Sequence, residues 1–473
     1  MLAKCLDASF SRAELAPTLN LSDKPMQKPR PRLVSLAWPL MAELVLGFCV
    51  GLLGLWLASR VSDTASAAFA LSNHVLSAFF LLFRVVSMGI SVVITQNLGA
   101  NNRVQADHIA RAALGASTWL GVFTAGLILL TAGGVLTLLQ TPAPVKLIAL
   151  PYLHMLAFAL LLDAYNAVMA SVMRAHLRTR DTMVTVLAMH TVHLLLCVPL
   201  MNGFGPIPAM GLPGFALAMA ISRVVGIGIH LFLWQWRLHL RPAFEDWWRP
   251  NWRLLGPALH IGIPGAAENI AYRIAMLASM SVVAGFGIDQ IATHSYASQI
   301  MNLVVLFTVA VGFAGEILVG HLIGAREFKH ANRVVRKSLF WGLGISFCIA
   351  LIAAITAPIT LRLFTHDETI IKSATTLLWL TVILEPGRTC TIVIINALRA
   401  TGDARFPVVA GAFSMVFVMA GGSWLLGQYF HLGLVGVWIA YAADEWLRGL
   451  IMAIRWFSRG WVSHAKASLR RVQ

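Results

Sequence analysis

Long apolar runs separated by short polar loops fill most of this chain. Twelve of them reach the ~20 residues that a helix needs to cross a ~30 Å hydrocarbon layer. They lie at about 33–59, 67–97, 112–139, 147–173, 183–201, 211–236, 256–285, 291–322, 338–363, 373–397, 406–429 and 433–457. The second and eighth are long enough to tilt or to project past the membrane. The pattern predicts an all-α polytopic membrane protein with 12 transmembrane helices, because helices satisfy their own backbone hydrogen bonds in lipid.

Composition agrees. The 473 residues are 58% hydrophobic and 12% charged, with a mean hydropathy of +0.76, whereas a soluble domain carries about 25% charged residues. The net charge of +16 raises nucleic acid as a partner, and the placement of the charges argues against it. If the tail and alternate loops face one side, 27 of the 36 Lys and Arg lie there, four lie opposite and five lie inside spans. That is the positive-inside bias, with both termini cytoplasmic. An anionic membrane surface accounts for the charge, so the expected partners are the bilayer and small molecules, not nucleic acid. The stretch RPAFEDWWRPNWRLL (241–255) suits the interface, with Trp247, Trp248 and Trp252 at headgroup level beside Arg249 and Arg253. Residues 1–32 are basic and lack the apolar core of a signal peptide, which makes them a cytoplasmic tail. The cysteines Cys5, Cys49, Cys197, Cys348 and Cys390 are scattered singly and read as reduced packing residues.

The chain repeats itself. AWPLMAEL (37–44) aligns with GIPGAAEN (262–269), placing Pro39 over Pro264 and Glu43 over Glu268. NLGANNRVQADHIAR (97–111) aligns with LIGAREFKHANRVVR (322–336). Asp163 and Asp181 align with Glu385 and Asp403, and GLPGFALA (211–218) with GLVGVWIA (433–440). The offset is 225 in the first two blocks and 222 in the last two. Six is an even number of spans, so the two halves enter the membrane in the same sense, with a cavity expected where they meet. The predicted organisation is a basic tail (1–32), an N-terminal six-helix lobe (33–236), a cytoplasmic linker (237–255), a C-terminal six-helix lobe (256–457) and a second basic cytoplasmic tail (458–473).

AWPLMAE opening the first helix, QNLGANN closing the second, RTRDT and RATGD in matching loops, and VGVWIAYAADEWLR in the twelfth helix together resemble the multidrug and toxic compound extrusion (MATE) family, in a bacterial branch. The resemblance covers the chain after residue 32. It implies two six-helix lobes in a bacterial inner membrane, exporting organic compounds, often cationic, aromatic or amphipathic, against protons or sodium ions. Many family members carry an Asp about four turns after the first-helix proline. Here that region reads GLLGLWL (51–57), with no acid. Any coupling therefore falls to other carboxylates.

The acids within spans are Glu43, Asp163, Glu268, Glu316, Glu385, Asp444 and Glu445; the bases are Arg84, Arg223, Arg273, Arg388 and Arg448. Each would cost roughly 2.5–3.5 kcal/mol against lipid at mid-bilayer, so most must face the interior. Helical spacing pairs Arg448 with Asp444 or Glu445, and Arg388 with Glu385 across Pro386. Seven acids against five arginines leave at least two carboxylates without a guanidinium. A desolvated, unpaired carboxylate takes up a proton. The resemblance implies that helices seven, ten and twelve line the cavity of the second lobe, so the expected ion-coupling and substrate site is Glu268, Glu385, Asp444, Glu445, Arg448, Arg388 and Tyr272. Asp163 with Arg223, Glu43 and Glu316 stand second. Glu43 and Glu268 follow their prolines by one turn and serve either the kinked backbone or ions. His190 and His193 are spaced like metal ligands but lack a third, and read as core histidines.

No HExxH, GxSxG or Asp-rich metal motif is present, so neither an enzyme nor a metal or cofactor is expected. The alternative to ion-coupled efflux is a flippase or exporter of lipid-linked or flavin-like anionic compounds on the same two-lobe fold. That reading favours cavity arginines over the acids that dominate here. The protein is expected to act as a monomer.

Overall fold

A computed structural model describes residues 32–203, 205 and 208–472, of which 78, 81, 84, 471 and 472 by backbone alone. Residues 1–31 of the expected tail and the Arg84 side chain lie outside the described set. Helices α1 (Leu33–Val61), α2 (Asp63–Gly99), α3 (Arg103–Leu138), α4 (Ala143–Ala175), α5 (Thr179–Asn202) and α6 (Leu212–Leu233) make the first half. The second half is α7 (Trp252–Ala284), α8 (Ile288–Gly324), α9 (Phe328–Thr360), α10 (Glu368–Ala400), α11 (Arg405–Ser414) and α12 (Gly433–Phe457), and α13 (Trp461–Val472) follows it. The last turns of the eleventh span are π-helical, at Met415–Ala420 and Ser423–Tyr429. The protein is an all-α polytopic membrane protein of two six-helix halves, and no strand occurs among the described residues.

Local chemistry sets the helix ends. Ser62 Oγ accepts from the Ala65 N–H at 3.0 Å to start α2, and Asn102 Oδ1 accepts from Gln105 at 3.2 Å to start α3. The chain leaves α2 and α8 through left-handed residues Asn101 and Arg326, and leaves α4 and α10 through Leu177 and Gly402. Each of these two turn pairs is 225 residues apart, so the repeat extends to backbone conformation. At 37 residues, α2 and α8 are about 55 Å long, well beyond the hydrocarbon thickness.

Nine of the described helices are long and apolar enough to cross a membrane. The helices α7 and α12 fall short because α7 carries Glu268 and Arg273 and α12 carries Asp444, Glu445 and Arg448 in their middle turns. Large apolar side chains such as Leu130, Phe158, Leu195 and Phe340 point outward, as lipid as solvent allows.

Across the halves, α2 packs on α7 and α8, and α1 packs on α8. Leu36 and Leu40 of α1 meet Ala310, Ala314 and Ile317 of α8 in one small cluster. The α2–α8 crossing is close because Gly99 faces the His321 carbonyl and Gly324 faces the Gln96 carbonyl, where a Cβ would collide with backbone. Both contacts lie beside the basic loops, at what we call the basic end.

Two segments are more ordered than their sequence suggested. The linker folds onto the first half: Leu240 is buried and Trp247 packs on Tyr165 at 5.1 Å, while Trp248 and Trp252 stay exposed. Residues 458–473, read as a tail, carry α13. Its Trp461, Ala465 and Leu469 recur every four positions and sink into the second half. Trp461 stacks on Trp456 with centroids 4.6 Å apart. Its apolar stripe, not its charge, decides how this segment packs.

Candidate functional site

One turn of α12 puts Asp444, Glu445 and Arg448 on a single inward face. Arg448 Nη2 lies 2.8 Å from Asp444 Oδ2 and 2.9 Å from Glu445 Oε1. Glu445 Oε1 also accepts from Arg388 Nε of α10 at 3.1 Å, and Arg388 Nη1 donates to Glu385 Oε1 at 2.8 Å. Ser414, where α11 gives way to π-helix, donates to Asp444 Oδ1 at 2.6 Å. Thr391 Oγ1 donates to the Glu445 carbonyl at 2.8 Å, tying the two helices. The Tyr272 ring of α7 lies 5.9 Å from the Arg448 guanidinium carbon. All five charged side chains are buried. The chain of partners runs Glu385, Arg388, Glu445, Arg448, Asp444, Ser414. Three carboxylates share two guanidiniums, so the fully ionised network carries one excess negative charge.

The first half holds a simpler version. Arg223 and Asp163 form a direct pair at 2.5 Å, as expected, and Asn166 Nδ2 donates to the Arg223 carbonyl at 3.0 Å. Shifted by 222 residues, Asp163, Asn166 and Arg223 become Glu385, Arg388 and Glu445. The second half thus keeps the first acid, puts an arginine in place of the amide and an acid in place of the arginine. His190 and His193 sit within electrostatic reach of Arg223. The His193 ring meets Phe215 edge-on at 4.6 Å. Among the described residues no three His, Cys, Asp or Glu side chains are grouped to hold a metal ion.

Two expectations need correction. The acid surplus was counted against arginines inside the apolar spans, and it left out Arg174 and Arg399. Both lie in the last helical turn of α4 and α10, and their side chains reach back into the protein. Arg174 Nη1 pairs with Glu43 Oε2 at 3.1 Å, and Arg399 Nη2 with Glu268 Oε2 at 2.6 Å. In both pairs the arginine follows its acid by 131 residues. Glu43 also accepts from Thr182 Oγ1 at 2.5 Å. These acids serve arginines, neither a proline-freed backbone nor the α10–α12 network. Glu268 therefore sits one turn from Tyr272 but bonds elsewhere. The repeat was the signal that could have found these pairs, because Arg174 and Arg399 stand at the same offset as Glu43 and Glu268.

A cavity of about 360 Å³ lies where the halves meet, walled by α1, α2, α4 and α8. Phe80, Phe83, Met88 and Phe313 are among its apolar lining, and Arg174 and Glu316 its charged residues. Glu316 is buried and partnered, and is the one residue of the predicted set on this wall. The α10–α12 acids lie within the second half instead.

The family model described as MatE matches residues 39–198 and again 264–424. This chain is a member of the MatE family. Over 92% of its length it is 29% identical to the uncharacterized transporter YisQ of Bacillus subtilis, covering 96% of that protein. It is 25% identical to a probable multidrug resistance protein NorM of Thermotoga maritima, over 94% of this chain and 96% of the relative. Among solved structures, an outward-facing multidrug resistance MATE family transporter of the MOP superfamily superposes with a TM-score of 0.84 at 19% identity, covering 91% of this chain and 96% of the other. A MOP superfamily transporter from Pyrococcus furiosus, described by a reversed polarity of its binding pocket, superposes at 0.82 and 20% identity, over 92% and 96%. In this MATE chain the α1 stretch 51–57 carries no acid and turns Leu52, Leu53, Leu55 and Trp56 outward.

Proposed function

We propose that this MATE chain is a secondary active efflux transporter for small organic compounds, driven by protons or sodium ions through alternating access of its two lobes. One observation carries the coupling half of this reading. Three buried carboxylates, Glu385, Glu445 and Asp444, share the guanidiniums of Arg388 and Arg448. A buried network with one uncompensated charge is costly. A proton or a sodium ion relieves that cost on arrival and restores it on leaving. An ion that binds one lobe packing better than the other shifts the balance between them. Asp444 and Glu385 are the natural receptors, because each is bonded to a single arginine: the second oxygen of Asp444 is held by the Ser414 hydroxyl, and that of Glu385 has no hydrogen-bond partner among the described residues. Glu268, locked to Arg399, is structural in this scheme.

Substrate belongs in the cavity between the lobes. Its aromatic and methionine wall adapts to varied apolar bodies. Arg174 on that wall is paired with Glu43, so it offers no bare guanidinium to an anion; Glu316 is partnered too, so recognition rests on the apolar wall. This favours small amphipathic compounds over lipid-linked or flavin-like anions. We place the protein in a bacterial inner membrane, with the basic end in the cytoplasm and the lobes closed on that side. The test is export from vesicles of a panel of dyes, drugs and flavins under imposed proton or sodium gradients. Asp444→Asn and Glu445→Gln are expected to lose gradient dependence, and Glu316→Gln, on the cavity wall, to alter the range of compounds exported. Export indifferent to both gradients, or full activity in all three variants, rejects the assignment.

A further inference from the structure

The basic end holds two hydrogen bonds that cross between the halves. Gln96 Nε2 of α2 donates to the Ala400 carbonyl of α10 at 2.8 Å, with both residues buried. His321 Nε2 of α8 lies 2.8 Å from the Ala175 carbonyl of α4. A carbonyl only accepts, so Nε2 carries the proton there. Gln96 and His321 are 225 residues apart, and so are Ala175 and Ala400. The two bonds are thus one bond made twice, each from the long helix of one half to the last turn of a helix in the other. Gly99 and Gly324 flank them and let the helices approach.

The repeat is unequal in one respect. Ser468 Oγ of α13 donates to Gln96 Oε1 at 2.9 Å, so the amide is held at both ends. Gly402, at φ +86°, brings the α10–α11 turn against Ser468, where a Cβ would collide. Asp403 in the same turn pairs with Arg455 at 2.9 Å, and Arg455 Nη2 reaches His464 Nε2 of α13 at 3.1 Å. The corresponding stretch after the first half is the linker, so only the Gln96 bond has a helix behind it.

We propose that Gln96 and His321 are the paired bolts of a basic-end gate between the lobes, and that α13 acts as a latch on the Gln96 bolt through Ser468. The proposal rests on the alternating-access reading, since a gate matters only if this end opens. Both bolts bond backbone carbonyls, so they read lobe position and are blind to side-chain identity across the interface. Breaking either leaves a buried carbonyl unpaired on the opposite half, which disfavours the closed packing specifically.

The experiment places a cysteine at Ser91, on the cavity wall, in a background with the native cysteines replaced. A membrane-impermeant maleimide is applied to the basic side, in the absence of substrate or ion gradient. Gln96→Ala and His321→Ala are expected to raise basic-side labelling roughly five- to thirtyfold. His321→Gln, which restores an amide donor like its counterpart, is expected to stay near the parent. Ser468→Ala, and removal of residues 461–473, are expected to raise labelling by a smaller factor. The half-buried Ser468 variant keeps the test alive should an interior variant not fold. Unchanged labelling in Gln96→Ala, His321→Ala and Ser468→Ala overturns the gate, as does a His321→Gln as open as His321→Ala. Labelling needs no cargo, so a failed export panel alongside shifted labelling sinks the transport assignment and leaves the gate standing.

Discussion

Replacing Arg388 with methionine is the sharpest perturbation of the α10–α12 network. Its guanidinium is the link between Glu385 at 2.8 Å and Glu445 at 3.1 Å. Glu445 keeps Arg448, but Glu385 loses its ion-pair partner among the described residues, and its Oε2 already has no hydrogen-bond partner there. Glu385 is 0% exposed, so water cannot substitute. Removing one member of a buried pair costs about 3–5 kcal/mol, and the stranded Glu385 puts Arg388→Met toward the upper figure. That is a large share of a net stability of ~5–15 kcal/mol. Glu385→Gln combined with Arg388→Met removes the stranded charge and is expected to recover about 1–3 kcal/mol relative to Arg388→Met alone. The assay is unfolding in mixed micelles, run as a double-mutant cycle on purified protein. A loss below ~0.5 kcal/mol, the scale of an innocuous surface change, or a double variant no more stable than the single, refutes the reasoning.

The twin pairs give a ranking. Arg399→Met is expected to destabilise more than Arg174→Met, because the Arg399 side chain is 6% exposed and that of Arg174 26%, where solvent screens the loss; equal melting shifts would contradict this. Gly99→Val and Gly324→Val each drive a side chain into backbone across the α2–α8 crossing. We expect each to cost about 1–3 kcal/mol and to increase protease cutting in the basic-end loops, with Gly126→Val, which meets open space, as the silent control. Trp461→Ala removes a buried ring stacked on Trp456, and is expected to cost about 3–5 kcal/mol and to free α13 for proteolysis near Arg459. Persistent protection of that site would mean that α13 is held by other contacts.

The membrane spans, the duplication and the bias of charge to one end were legible in the residues themselves, whereas α13 was not. A bilayer imposes the reason: each crossing must be a self-satisfied helix of ~20 apolar residues, so spans are written locally. The i, i+3 and i, i+4 pairs of Glu385 with Arg388 and of Arg448 with Asp444 and Glu445 were legible for the same reason. The joining of these pairs into one network through Arg388 and Glu445 was not, because it depends on how α10 lies against α12. Arg174 and Arg399 were passed over because hydropathy ends a span before the helix ends, and a guanidinium on its long stem reaches back past that edge. The identity of Glu43 and Glu268 as their partners, the cavity wall at Glu316, and the crossing bonds of Gln96 and His321 were decided only in three dimensions. Sequence periodicity tells a side chain which way to face; the distance to a partner 131 residues away exists only once the helices of one half have packed, and to one 304 residues away only once the halves have closed on each other.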